Sequence, residues 1–380
     1  LAGSFPALLI GRMVQACGTA VMIPLVMTTV MRLVAPGRRG TVMGTISIVI
    51  GVAPAVGPTV GGAILAGLGW RWMFWLVLIL AAVMLALALL WLHVPGTTRA
   101  VPLDAVSVVL SALGFAGLVY GLSTLGQEGQ AVPPWLALPV GALALAGFAW
   151  RQARLQRRDR PLLDLRTLAV PRYLIALILS MLVFMALLGA GAVLLPIYLQ
   201  HVLGHGVFVA GLALLPGGVM MAAVSRPVGA LYDRVGAKAL VIPGAAGMSV
   251  ALFLLALLGS AAPLAAVIGI DMLMMSSLGV MMTPLMADSL GALTDDLYSH
   301  GSALLTTLQQ VAGALGSAVF VAVAALGGVD SSGLPGASGI RLAFVVAGLV
   351  GVAAFGVALA YPRGKPEGVG SAGGPGIAHA

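Results

Sequence analysis

The sequence predicts an all-α membrane protein that crosses the bilayer many times, and three observations carry that prediction. Of 380 residues, 61% are hydrophobic and 8% charged, with mean hydropathy +1.12; soluble domains are about 45–50% apolar and about 25% charged. Apolar runs of about 20 residues, the length a helix needs to cross the hydrocarbon core, recur along the whole chain. The basic residues collect in alternate loops, as they do when one side of a membrane holds the positive charge.

In chain order, the runs predict eleven spans: 7–34, 41–67, 72–92, 105–126, 134–150, 173–200, 207–228, 239–259, 263–287, 301–327 and 341–361. Short loops with Gly, Pro or charge separate them. The longest polar break, Arg151 to Arg172, divides five spans from six. With the Pro36–Gly40 loop placed in the cytoplasm and the spans alternating from there, sixteen basic residues fall inside, Arg151, Arg154, Arg157 and Lys238 among them. Only Arg71 and Arg341 fall outside, and Arg12 lies within a span. The net charge of +8 is thus a topology signal and not a nucleic-acid footprint. Arginine outnumbers lysine 17 to 2, which hints at a GC-rich bacterial genome. The tail after Tyr361 is rich in Gly and Pro and is expected to be disordered.

One cysteine, Cys17, excludes an internal disulfide. No GxxxxGK[ST] loop occurs, so no nucleotide partner is expected and an ATP-driven pump would need another subunit. No nucleophile–base pair suggests an enzyme. His201 and His205 are spaced i, i+4 but lack a third ligand, so no metal and no cofactor are expected. The chain starts at Leu1 directly in a helical pattern, and an odd number of spans is awkward for a transporter built of paired repeats. The first spans are expected to have been lost.

Four patterns carry chemistry. In Gly51–Gly62, GVAPAVGPTVGG, the positions Ala53, Gly57 and Gly61 share one helix face, and Pro54, Pro58 and Gly62 the next. The first stripe admits a second helix backbone, and the second removes two amide donors and bends the helix. A hinge or seal between moving halves is one reading, and an ordinary close-packed span the other. Arg12 lies about five residues inside its span; such a charge costs about 2.5 kcal/mol at mid-helix, less near the edge. Gln15 is one turn away and Gly18 opens the backbone, which favours an inward-facing cation over one that reaches out to the headgroups. Asp271 reads as the only acidic residue well inside a span, where burial favours the neutral acid that a proton carrier needs; the plainer alternative is a wet position in an outer vestibule. The methionines after it, Met272, Met274, Met275, Met281 and Met282, offer a soft surface for apolar ligands, or simply fill a core. Finally, Gly229–Lys238, GALYDRVGAK, sets a tight loop in which Asp233 favours a helix N-terminus and Arg234 and Lys238 can reach it or the carbonyls of a neighbouring helix end. Gln309 and Gln310 suit helix–helix hydrogen bonding, and Trp70, Trp72 and Trp75 an interfacial belt.

At these residues the chain resembles the major facilitator superfamily, and more narrowly its fourteen-span drug:proton antiporters. Gly51, Pro54, Gly57, Pro58, Gly61 and Gly62 match the fifth-span antiporter motif; Arg12, Gln15 and Gly18 match the fourth-span motif, with Ala16 where glycine is common. Gly229, Asp233, Arg234, Gly236 and Lys238 match the superfamily's signature loop, and Leu194–Gly204 and Ala210–Met220 also look like this group. The resemblance implies a two-bundle fold of which eleven of fourteen helices are present. Residues 1–100 would be the remainder of the N-terminal six-helix bundle, 101–150 two extra central helices, 151–172 a basic cytoplasmic linker, 173–361 the C-terminal bundle and 362–380 a cytoplasmic tail.

The function so implied is export of drug-like or natural-product molecules across a bacterial inner membrane by proton antiport and alternating access. Arg12 and Asp271 would couple protons, the Gly51–Gly62 stretch would hinge or seal, and the Gly229–Lys238 loop would latch the cytoplasmic side. Gln15, Met274 and Gln309 would line the substrate cavity. The expected partners are the small-molecule substrate, protons and the bilayer, with a monomer as the working unit. The alternatives are a proton-coupled importer or facilitator of the same superfamily, and a truncated, non-transporting membrane protein.

Overall fold

Apolar length decides which segments are helices, and hydrogen bonding decides where they stop. The computed structural model describes residues 4–33, 56–57, 59–91, 104–124, 132–157, 163–328 and 335–363; within these, nothing is described of the side chains of residues 23–24, 27–28, 30–33, 226, 233 and 295. Among the described residues, ten helices are long and apolar enough to cross a membrane. They are α1 (Phe5–Leu33), α2 (Trp70–Trp91), α3 (Ala105–Ser123), α4 (Pro134–Gln156), α5 (Pro171–Val202), α6 (Val207–Val235), α7 (Ala237–Leu257), α8 (Leu264–Gly291), α9 (Asp295–Leu326) and α10 (Ala337–Leu359). The remaining expected span, 41–67, is described only at 56–57 and 59–67, where it is helical. The described residues form helices and the turns between them, so the all-α, polytopic class holds.

Three ends run well beyond the sequence reading. The helices α4, α6 and α9 continue past Trp150, past Val228 and back to Asp295, into sequence read as polar loop. Apolarity ends with the hydrocarbon, whereas backbone hydrogen bonds continue until a cap or a breaker intervenes. Between α6 and α7 the breaker is Gly236, whose φ of 78° lies in the region that disfavours side chains. Between α4 and α5, Asp164 starts a short 3-10 turn, Leu165–Ala169, by accepting the Arg166 amide at 2.9 Å. The guanidinium of Arg166 holds the Asp164 carboxyl below its usual range. Proline opens both α4 and α5 where its missing amide hydrogen costs nothing. The α5 backbone then widens to i→i−5 hydrogen bonding over Met185–Leu194 and Tyr198–Val202.

The six helices α5–α10 make one body. In it α7 lies against α10 and α8, α8 also against α6 and α5, and α9 against α5 and α10. Its core is mostly Ala, Leu, Val and Met, with Tyr173, Phe320, Phe344 and Tyr361 as the largest wholly buried side chains. Glycine sets the close approaches, as small residues do between helices in lipid: a Cβ on Gly351 would lie 2.8 Å from the Ser249 Cα.

A second unit is the α3–α4 hairpin, which lies on α9 through α3. The two helices cross at Gly117 and Gly141 and are closed at one end by polar bonds. Arg151 grips Asp104 with Nε and Nη2 at 2.6 and 2.7 Å, and Ser107 donates to the same carboxylate at 2.5 Å. Buried Gln152 donates to Ser107 at 2.7 Å and accepts the Leu163 amide at 3.1 Å, which ties the hairpin to the chain entering α5. The Arg151 fork, and Ser107 after it, holds Asp104 well below the usual carboxylate range. By contrast, α2 buries no residue and α1 leaves its apolar side chains open, so in a bilayer their neighbours are lipid tails or further apolar helices.

Candidate functional site

Two carboxylates are wholly buried on α8, and they sit in opposite circumstances. Asp271 lies two turns from the start of the helix. Neither of its oxygens has a hydrogen-bond partner among the described residues, although the side chain is 0% exposed. What it meets is backbone. Its carboxylate fills the place where a Cβ would stand on Gly217 of α6, with Cγ at 2.8 Å from that place and Met275 Cγ at 3.1 Å. Pro216 immediately before Gly217 has no amide hydrogen for the carbonyl one turn back, at Leu212. On the far side, Met274 and Met275 reach the wide turn of α5 at Gly191. Asp271, Met274, Met275, Gly191 and Pro216–Gly217 therefore form one constellation: a bare acid, two soft side chains and two segments of irregular helix. Gln309, assigned with Met274 to a cavity, is buried on α9.

Asp288 is near the other end of α8, the end of the body that carries Arg172, Arg234 and Lys238. In the last turn of a helix a carboxylate faces the negative end of the dipole, so it needs a cation. Arg172, at the start of α5, supplies one, with Nε and Nη2 each 2.7 Å from Asp288. Tyr361, just past α10, donates its hydroxyl to the same carboxylate at 2.8 Å, and Tyr232 of α6 donates at 3.2 Å. Burial pushes the Tyr361 phenol well above its usual range, so it stays a donor. Lys238, in the first turn of α7, donates to the Leu359 and Tyr361 carbonyls, each at 2.8 Å, the favourable place for a cation at a helix end. Of the two partners expected for the signature loop, Lys238 thus uses the helix end. Arg234 is exposed, Gly229 faces α8 near Thr283, and the Asp233 side chain lies outside the described residues.

In the N-terminal part, Arg12 is exposed, donates to Gln15 at 2.7 Å and lies 6.0 Å from the Phe74 ring. No carboxylate comes within ion-pair reach of it among the described residues, so it bonds the acceptor one turn away. Asp271 is accordingly not its partner. In the glycine stretch, a Cβ on Gly57 or Gly61 would meet nothing within 4 Å among the described residues, and it is Gly62 that packs, where a Cβ would lie 3.0 Å from the Val207 carbonyl. Thr59, three residues before it, donates to the Gly211 carbonyl at 2.9 Å. The face used is therefore the neighbouring one, about a third of a turn away, because the start of α6 lies on that side. Gly51, Pro54 and Pro58 lie outside the described residues. A second acid, Asp288, is buried as fully as Asp271, though at the end of the span rather than well inside it. The sequence reading missed Asp288 because the apolar run ends beside it; an arginine at the start of α5, on the same side of the membrane by alternation, was the available signal.

Comparison with known proteins adds the family. A model described as Major Facilitator Superfamily matches residues 1–317. The lincomycin resistance protein LmrB of Listeria monocytogenes is 38% identical over 328 residues, which cover 86% of this chain and 69% of that protein. LmrB of Bacillus subtilis is 34% identical over 367 residues, 93% of this chain and 76% of its own. A putative multidrug resistance protein, MdtD, of Yersinia enterocolitica is 30% identical over 322 residues, with shares of 81% and 65%.

Proposed function

Since the chain belongs to the major facilitator superfamily, we propose that it exports drug-like or natural-product molecules in exchange for protons. The membership makes it a multi-pass membrane transporter; the direction, the coupling ion and the substrate class are the proposal. Relatives named for lincomycin and multidrug resistance support the substrate class. The observation that carries proton coupling is Asp271, since a buried carboxylate without a donor is costly while charged, and a proton removes the charge.

In this reading residues 173–361 rock against the N-terminal half, with the α3–α4 hairpin as the extra central pair of a fourteen-span exporter. The basic end, with Lys238, Asp288 and the C-terminus, faces the cytoplasm of a bacterial cell, and the protein works as a monomer. Met274 and Gln309 line the substrate path, and the Gly51–Gly62 stretch seals against α6.

The test is lincomycin efflux from proteoliposomes holding the full-length protein, with and without an imposed proton gradient. Export that needs the gradient and falls about tenfold or more in Asp271→Asn is expected; Arg12→Ala is the companion variant. Gradient-independent flux, or undiminished efflux in Asp271→Asn, rejects proton coupling through this residue. Flux that runs outward from inverted vesicles of known sidedness identifies an importer.

A further inference from the structure

Asp271 owes its burial to one absent side chain. Its carboxylate occupies the notch where a Cβ would stand on Gly217, and Met275 closes the rim. Any side chain at 217 would make the acid turn out of its present place, so the two positions are coupled. The notch is short of protein donors, since neither oxygen of Asp271 is hydrogen-bonded among the described residues. Among the described residues no charged side chain of α5, α6, α7 or α9 comes within ion-pair reach there either; Arg172, Tyr232 and Lys238 are gathered at the far end of the body. A metal cation needs several oxygen ligands, and no group of three or more His, Cys, Asp or Glu exists among the described residues. What fits between Asp271 and Gly217 is a carboxylic acid carrying its own hydrogen.

We propose that Gly217 is a positioning residue for proton exchange. By having no side chain it lets α6 close over protonated Asp271, and the bend allowed by Pro216 parts α6 from α8 to let the proton out. On opening, the O–H bond of the acid breaks and the proton passes to water, with no other reactant. The inference rests on Asp271 being the coupling residue and adds the part that decides when it is sealed.

A double-mutant cycle with lincomycin as the probe tests this in the full-length protein. Gly217→Ala is expected to lower proton-driven efflux about tenfold or more, and to change it less than about twofold when added to Asp271→Asn. Gly217→Ser, which places a hydroxyl against the acid, is expected to move the pH of half-maximal efflux by about half a unit or more. The same change in the Asp271→Asn background leaves that pH where it is. Gly269→Ala, on α8 with open space beside it, serves as the neutral control. Losses that multiply in the double variant, or an unmoved pH profile in Gly217→Ser, overturn the role of Gly217 and leave Asp271 standing. Undiminished efflux in Asp271→Asn overturns the reading of Asp271 and this inference with it. If Gly217→Ala alone fails to accumulate, Asp271→Ala/Gly217→Ala should accumulate as Asp271→Ala does, because the smaller side chain vacates the notch; equal failure of the double variant overturns the proposal.

Discussion

Asp271 and Asp288 are seventeen residues apart on one helix, about 25 Å along its axis, and both are wholly buried. One has an arginine fork and two tyrosine hydroxyls; the other has a glycine backbone and methionine. The difference separates holding from exchanging. A carboxylate with three partners fixes the elements that bring them, here α5, α6, α8 and the turn after α10. A carboxylate with none gains nothing from staying charged where it is, and is free to change its proton without dismantling the fold.

The largest effect that would break this contrast is on stability. Asp288→Ala takes the carboxylate away from a guanidinium that is 16% exposed and from two hydroxyls, and is expected to cost about 3–5 kcal/mol. Thermal unfolding in detergent should fall steeply, whereas Asp271→Asn should unfold within a degree or two of the parent, scaled as about 1 kcal/mol or less. Equal destabilisation by the two would erase the distinction. Next comes reactivity. Dicyclohexylcarbodiimide, which attacks protonated carboxyls in apolar surroundings, should label Asp271 and spare Asp288 in a mass-spectrometric map; labelling of Asp288 would mean that the clasp does not hold. A smaller effect is expected of Lys238→Met, which releases the two carbonyls at the end of α10 and should cost about 1–3 kcal/mol, read in the same unfolding assay.

The smallest effect concerns a third acid, Asp104, outside the spans. Its folded value is depressed by Arg151, so the stability it lends the hairpin is present above the ordinary carboxylate range and is lost only as pH falls through the lower folded value. The α3–α4 contact should therefore persist to below pH ~4, and Arg151→Gln should bring its loss to higher pH. A disulfide-trapping pair across Gly117 and Gly141 would report it.

The spans were legible because their signal is local: twenty apolar residues must be a helix in lipid, and an aspartate among them stands out. The network around Asp288 was not, since its partners lie 56, 73 and 116 residues away in sequence and each alone resembles a loop residue. Gly217 was hidden differently. Among 52 glycines nothing in its local pattern marks the one that an acid on another helix needs. At Arg12 the spacing to Gln15 was legible and makes a hydrogen bond, while a helical period fixes which residues share a face and not where that face points.

The wide turns of α5 have their own bearing on how this chain tolerates change. Turns closed by i→i−5 bonds hold more residues than α turns do, so Met185–Leu194 contains slack that no other described helix has to the same extent. Deleting one residue there would tighten the winding toward the ordinary pitch and leave Tyr173 and Tyr198 on their present sides. The same deletion in α7 would swing half the helix about 100° and turn buried alanines toward lipid. Length, elsewhere fixed by the bilayer, is here adjustable by a residue.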